Sequence, residues 1–154
     1  MSIVKVFVPR ETTSVSVGAD EVALAIARQA KKNGASIQLI RNGSWGACWL
    51  EPLVEVEVDG TRIAYGNVDA DDVPGLFDAG LLAGGAHDKR LGPTTEIDYL
   101  SSQDRWTFWR CGLIEALSLD DFLAHQGFNA LPHFRGSFIS KGHCQNATGR
   151  ITLE

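Results

Sequence analysis

Val54-Glu55-Val56-Glu57-Val58-Asp59-Gly60-Thr61-Arg62-Ile63-Ala64-Tyr65 alternates valine with glutamate, turns on Asp-Gly, and returns through a second run of strand-forming residues. Asp-Gly suits a two-residue hairpin turn because both central positions take positive φ. The stretch therefore predicts an antiparallel hairpin with its valines on one face. Glu55 and Glu57 share the opposite face, where the expectation is solvation rather than acid catalysis.

Upstream, residues 3–8 alternate and are rich in β-branched types, which predicts a strand. The next stretch, Pro9-Arg10-Glu11-Thr12-Thr13-Ser14, reads as a loop, since proline has no N–H for a central ladder. Asp20 then opens a helical pattern with Val22, Ile26 and Ala30 on its apolar stripe, closed by two lysines and Asn33-Gly34. Residues 36–41 read as a strand, and strand, helix and strand with short joints imply a right-handed parallel unit. Beyond the hairpin, residues 69–82 read as a second helix that opens on Asp69, Asp71 and Asp72 and buries Val73, Leu76, Phe77 and Leu81. Pro74 lies early enough in it to be tolerated. This order predicts an α/β domain of thioredoxin-like layout, a mixed four-stranded sheet with two main helices, then a linker and a short helix. The expected division is 1–92 for the thioredoxin-like domain, 93–131 for linker and short helix, and 132–154 for an atypical tail without helical or strand period.

Composition narrows the function classes. With 154 residues, 44% hydrophobic and 21% charged, the chain can bury a core without disulfides or a structural metal. A net charge of -5 gives no basic footprint for nucleic acid. No apolar run approaches the roughly 20 residues that a membrane helix needs, and the first residues lead into a strand pattern rather than a signal peptide. Cys48, Cys111 and Cys144 are widely separated and odd in number, as free thiols of a reducing compartment are. A cytoplasmic location is expected, with neither nucleic-acid nor membrane partners.

Chemistry is sought first in Asn42-Gly43-Ser44-Trp45-Gly46-Ala47-Cys48-Trp49-Leu50-Glu51-Pro52-Leu53-Val54, a glycine-bearing loop between strands that carries a cysteine. It resembles the loop of thioredoxin-like [2Fe-2S] ferredoxins, in which Gly-Cys-x-Gly-x-Cys precedes Gly-Pro and an apolar strand. In that family four thiolates hold the irons, a pair in each of two loops, because soft anionic sulfur suits ferric iron. The resemblance puts the ligand positions at Pro9 and Ser14 in the first loop and at Ser44 and Cys48 in the second. Only Cys48 supplies a thiolate, so no cofactor, metal site or catalytic residue is expected in the chain itself. Trp45 and Trp49 stand in the same loop and are expected either to plug the emptied site or to meet a partner subunit.

Val6-Phe7-Val8-Pro9-Arg10, Arg41-Asn42-Gly43-Ser44, Trp49-Leu50-Glu51-Pro52-Leu53-Val54-Glu55-Val56 and Asp72-Val73-Pro74-Gly75-Leu76-Phe77-Asp78-Ala79-Gly80-Leu81 resemble the N-terminal domain of the beta, or flavoprotein, subunit of NAD-dependent, molybdenum-containing formate dehydrogenases. Leu117-Ser118-Leu119-Asp120-Asp121-Phe122 and Ala124-His125-Gln126-Gly127-Phe128 resemble the entry to the flavoprotein core, shared with the NADH-binding flavoprotein subunit of respiratory complex I. The resemblance runs over residues 3–131. It implies an oxidoreductase component that is inactive alone, partnered by other subunits of a formate dehydrogenase or NADH oxidoreductase complex. FMN, NAD and iron-sulfur clusters are implied for a full-length subunit of this kind, whereas no Gly-rich phosphate turn or four-cysteine motif occurs in this sequence. From Pro132 onward the sequence departs from the family, as a frameshifted or truncated gene would make it do. Two other readings stand beside this one, a freestanding interaction or assembly module for a redox complex and a [2Fe-2S] electron carrier. His87, His125, His133 and His143 form no metal-binding spacing and read as surface or linker histidines.

Overall fold

The computed structural model of the chain describes residues 3–129. Five strands, β1 (Val4–Phe7), β2 (Ile37–Ile40), β3 (Val54–Val58), β4 (Thr61–Tyr65) and β5 (Arg90–Pro93), form one sheet in the order β2-β1-β3-β4-β5. β1 and β2 are parallel, and β3 runs antiparallel to both β1 and β4. A parallel β1–β2 pair joined through an antiparallel β3 to β4 is the thioredoxin-like arrangement. The hairpin turns where the sequence places it, with Asp59 at φ 49° and Gly60 at φ 78°, and pairs Val54 with Tyr65 and Val58 with Thr61.

The helix α2 (Ala19–Lys32) carries acidic residues in its first turn and lysines in its last, each sign favoured by the helix dipole at that end. Its buried side chains, Val22, Ala23, Ile26 and Ala30, pack against Val6, Val8, Val54, Val56, Ile63 and Tyr65 of the first sheet face. α3 (Val73–Asp78) covers the same face through Val73 and Leu76. The stretch expected as one helix over 69–82 is three pieces. A 3-10 turn at Ala70–Asp72 is closed by the reciprocal Asp69–Asp72 capping box, α3 follows, and a second 3-10 turn, Leu81–Ala83, lies beyond Gly80. Gly80, at φ 82°, ends α3 in the left-handed conformation that glycine adopts without strain.

Two other expectations are corrected. The segment after Pro9 is not all loop, because α1 (Thr12–Ser16) forms there. Its cap is the Glu11 carboxylate, which accepts the backbone N–H of Ser14 at 2.6 Å and of Thr13 at 2.8 Å. The sheet has a fifth strand where the sequence loosens: Ile63 pairs with Pro93, Ala64 with Gly92 and Tyr65 with Arg90, with a register irregularity at Ala64/Tyr65. Gly92, Pro93 and that irregularity hide the strand from pattern reading, and the sheet edge is where a strand tolerates them.

The short helix α4 (Asp98–Ser101) follows β5. The chain divides into compact units after Ser118, not at residue 92, so that the expected linker up to Ser118 belongs with the sheet. The second unit opens with α5 (Leu119–Ala124), where the Phe122 and Phe128 rings meet edge to face at 5.0 Å and the Gly127 N–H donates to the Phe122 carbonyl at 2.7 Å. The expected tail, with His133, His143 and Cys144, lies outside the described residues. No helix among the described residues is long and apolar enough to cross a membrane.

Ile26 has no exposed surface while Leu24, on the same helix, is half exposed. Ile26→Ala should therefore lower the unfolding free energy by about 2–5 kcal/mol and Leu24→Ala by about 0.5 kcal/mol or less. Urea unfolding followed by circular dichroism checks both, and equal losses would contradict the packing described.

Candidate functional site

Side chains alternate along a strand, so Phe7 of β1, Glu55 of β3, and Arg62 and Ala64 of β4 point away from the helices, to the second face of the sheet. Phe7, Glu55 and Ala64 are buried nevertheless, and what covers them is chain rather than a long helix. Between β2 and β3 the connection holds only a 3-10 turn, Cys48–Leu50. The rest of the cover comes from the segment after β5. Asn42 bridges to Glu115, the Gly43 N–H donates to the Ile114 carbonyl at 3.4 Å, and Arg62 donates to the carbonyls of Gly112 at 2.8 Å and Leu113 at 2.7 Å.

Glu55 is the centre of this cover, and the expectation that it is solvated is wrong. With no exposed surface, it accepts hydrogen bonds from Trp45 Nε1 at 2.9 Å, Thr94 Oγ1 at 2.7 Å and Asn42 Nδ2 at 3.3 Å, and Arg62 Nη1 lies at 3.5 Å. Desolvation pushes its pKa up, opposed by the Arg62 charge and by the three hydrogen bonds. Glu57, two residues on, meets the original expectation better, being half-buried at the rim and paired with Lys5 at 3.1 Å. Arg62 also lies over the Phe7 ring, 3.6 Å from its centroid, so that one guanidinium joins a strand, an aromatic ring and two carbonyls of the cover.

The four positions expected to match cluster ligands have other occupations. Pro9 is buried, and its carbonyl accepts from Arg41 Nη2 at 2.9 Å. Ser14 is fully buried and donates its hydroxyl to Glu11 at 2.6 Å. Ser44 donates to Glu51 Oε1 at 2.8 Å and accepts from the Gly46 N–H at 2.9 Å. Cys48 is exposed. The Arg10 N–H donates to the Asn42 carbonyl at 2.9 Å, tying the first loop to the start of the second. One thiol, two hydroxyls already held by carboxylates and a proline do not fit a [2Fe-2S] cluster, which needs four anionic soft donors.

The two loop tryptophans, alike in sequence, have opposite roles. Trp45 turns inward onto Glu55, with Gly112 so close to its indole that a Cβ on Gly112 would lie 2.3 Å from the ring. The Trp45 carbonyl accepts from Arg105, whose guanidinium lies 5.1 Å from the Trp45 ring centroid. Trp49 turns outward, 57% exposed, and meets Tyr99 edge to face at 4.6 Å. Beside them Trp45, Tyr99, Arg105, Trp106, Phe108 and Cys111 line an open groove of about 590 Å³, with Trp106 83% and Phe108 67% exposed. Sequence reasoning missed Asn42, Arg62, Thr94 and Gly112. The sequence pattern carried no signal for the burial of Glu55, because the partners that cover it lie outside the hairpin.

The chain is, in fold, a thioredoxin-like domain whose second sheet face is closed by its own loops. No protein-family model matches the sequence, and no curated protein aligns with it. Among solved structures it is similar to the wild-type thioredoxin-like [2Fe-2S] ferredoxin from Aquifex aeolicus, at 21% identity over 60% of this chain and 99% of that one, with a TM-score of 0.49. A second structure of a thioredoxin-like [2Fe-2S] ferredoxin from Aquifex aeolicus gives 19% identity over 61% and 94% of the two chains with a TM-score of 0.48. A Cys-to-Ser variant of that ferredoxin gives 22% identity over 58% and 99%, with a TM-score of 0.47.

Gly112 combines φ 82° with the Trp45 ring lying where a Cβ would have to go. Gly112→Ala should destabilise the domain by about 2–4 kcal/mol, through backbone strain and overpacking together, and should red-shift the tryptophan emission as Trp45 is displaced. Unchanged stability and emission would show that the cover does not depend on this contact.

Proposed function

We propose that the chain acts as a structural and docking domain of an NAD-linked oxidoreductase, as the thioredoxin-like N-terminal domain of a formate dehydrogenase beta subunit. The observation that carries this reading is the state of the two loops. Where the resemblance calls for four thiolates, the chain has Pro9, Ser14, Ser44 and Cys48, and both serine hydroxyls are committed to Glu11 and Glu51. An electron-carrying role has no group to work through there. The exposed aromatics Trp49, Tyr99, Trp106 and Phe108 support a docking role instead, since large aromatics in solvent-facing clusters are the usual anchors of protein contacts.

In this reading the whole enzyme would oxidise formate to carbon dioxide and pass the electrons to NAD, while this domain would hold subunits together without taking part in the transfer. A freestanding assembly module for a redox complex is the second reading. The same exposed aromatics favour it, and it differs in requiring no flavoprotein partner.

Co-expression with the catalytic subunit of a molybdenum-containing formate dehydrogenase, and separately with its FMN-binding core, tests the proposal by native mass and iron analysis. A defined complex with substoichiometric iron on this chain is expected, and Trp49→Ala together with Trp106→Ala should weaken it at least about tenfold, the loss of one strong anchor. A complex with neither subunit would remove the formate dehydrogenase reading. Stoichiometric iron with a visible charge-transfer spectrum would restore the electron carrier.

A further inference from the structure

We propose that the cover over the second sheet face is a proton-linked strap, with Glu55 as the group that takes up and releases the proton when residues 94–118 close and lift. The proposal stands on how the carboxyl is held. Its two oxygens have different partners: Oε2 faces Trp45 Nε1, Asn42 Nδ2 and Arg62 Nη1, and Oε1 faces the Thr94 hydroxyl alone. Three donors fix the first oxygen as an acceptor. The second has a partner that can reverse, because the Thr94 hydroxyl also lies 3.3 Å from the Arg62 carbonyl. When Glu55 is ionised, Thr94 donates to it. When a proton sits on Oε1, that proton is donated to Thr94 Oγ1, and Thr94 donates to the Arg62 carbonyl. Both charge states keep their hydrogen bonds, so the closed strap can hold the proton without rearrangement.

The hydrogen-bond donors that reach Glu55 from outside the sheet are Asn42 and Trp45 of the 42–51 loop and Thr94 of the segment after β5. From the strap, Thr94 donates to Glu55 and the Gly112 carbonyl holds the Asn42 and Arg62 side chains beside it, so that lifting residues 94–118 removes one partner of the carboxyl, frees two others and opens that side of it to solvent. Proton affinity and closure are then linked in one direction. Burial favours the neutral form, so the closed strap binds the proton more tightly than the open one, and raising the pH through that interval favours opening. The charged groups around the site do not reverse the sign. Arg62 on β4 favours the ionised form but remains outweighed by burial. Lys5 and Glu57 pair with each other, Arg105 faces the Trp45 ring and carbonyl, Glu51 is held by Ser44 and the Leu53 N–H, and Glu115 lies at the bridge to Asn42. One buried polar atom, Asn42 Oδ1, lacks a hydrogen-bond partner among the described residues. An unpaired acceptor of this kind makes a closed state easier to leave.

The test uses the full chain and two readings across pH 5 to 8, the Glu55 carboxyl ¹³C shift and amide hydrogen exchange by mass spectrometry. Exchange of residues 94–118 is divided by that of β3 in the same molecule, which removes the intrinsic pH dependence. The expected result is a Glu55 titration above the ordinary value of about 4.3, with relative protection of the strap falling by up to about tenfold per pH unit through that same step, the limit for one proton. Glu55→Gln, which keeps an acceptor for Trp45 and a donor for Thr94, should abolish the slope and leave the strap closed throughout. A Glu55 titration at the ordinary value, a strap whose relative protection is flat across it, or an unchanged slope in Glu55→Gln overturns the proposal. Should that variant fail to fold, coincidence or non-coincidence of the two wild-type readings still decides.

Discussion

A carboxyl without water must be surrounded by donors, and the arrangement around Glu55 is what that requirement looks like when it is met by four different parts of one chain. β3 supplies the carboxyl, the loop after β2 supplies Asn42 and Trp45, the segment after β5 supplies Thr94, and β4 supplies Arg62. Leaving a buried carboxylate short of a partner costs several kcal/mol, so each segment is held in place by the needs of the others. Arg62 extends the same constraint to the carbonyls of Gly112 and Leu113. The domain thus has two kinds of interior. An apolar layer lies between sheet and helices, where shape and burial dominate, and a polar layer lies on the other face, where hydrogen-bond satisfaction does.

This second layer explains the irregular chain beyond β4. Residues 94–118 have no periodicity because they do not form an amphipathic element. They contribute backbone carbonyls, a hydroxyl and a glycine that lets the chain reach the Trp45 ring. Such a cover can be built from polar and small residues, since its fit depends on positions of single atoms rather than on an apolar stripe. It also leaves large aromatics, Trp106 and Phe108, on its outer surface, so that one segment closes the sheet on its inner side and carries exposed rings on the other.

The loop between β2 and β3 serves the same structural end. Ser44 and Glu51 close the loop on each other, Glu51 also holds the Leu53 N–H, and Trp45 is sent beneath it onto Glu55. In the first loop Glu11 and Ser14 do the corresponding work by starting a short helix. In both loops the cross-link is a set of hydrogen bonds to a carboxylate.

Much of the first layer was legible in the residues. The alternation of Val54, Val56 and Val58, the Asp59-Gly60 turn and the stripe of Val22, Ile26 and Ala30 each repeat with the period of one element, and each element needs only its own sequence to declare its apolar face. Helix limits and the fifth strand were less legible, because Gly80 and Gly92 act through backbone conformation and pairing, not through periodicity. The second layer was decided by tertiary structure alone. Alternation placed Glu55 opposite the core, but whether that face meets water depends on Asn42, Thr94 and Gly112, which are distant in sequence and carry no shared pattern. Trp45 and Trp49 show the same division most plainly. Four residues apart in one loop, they have the same chemistry, and only the position of a buried acceptor sends one inward and leaves the other in solvent.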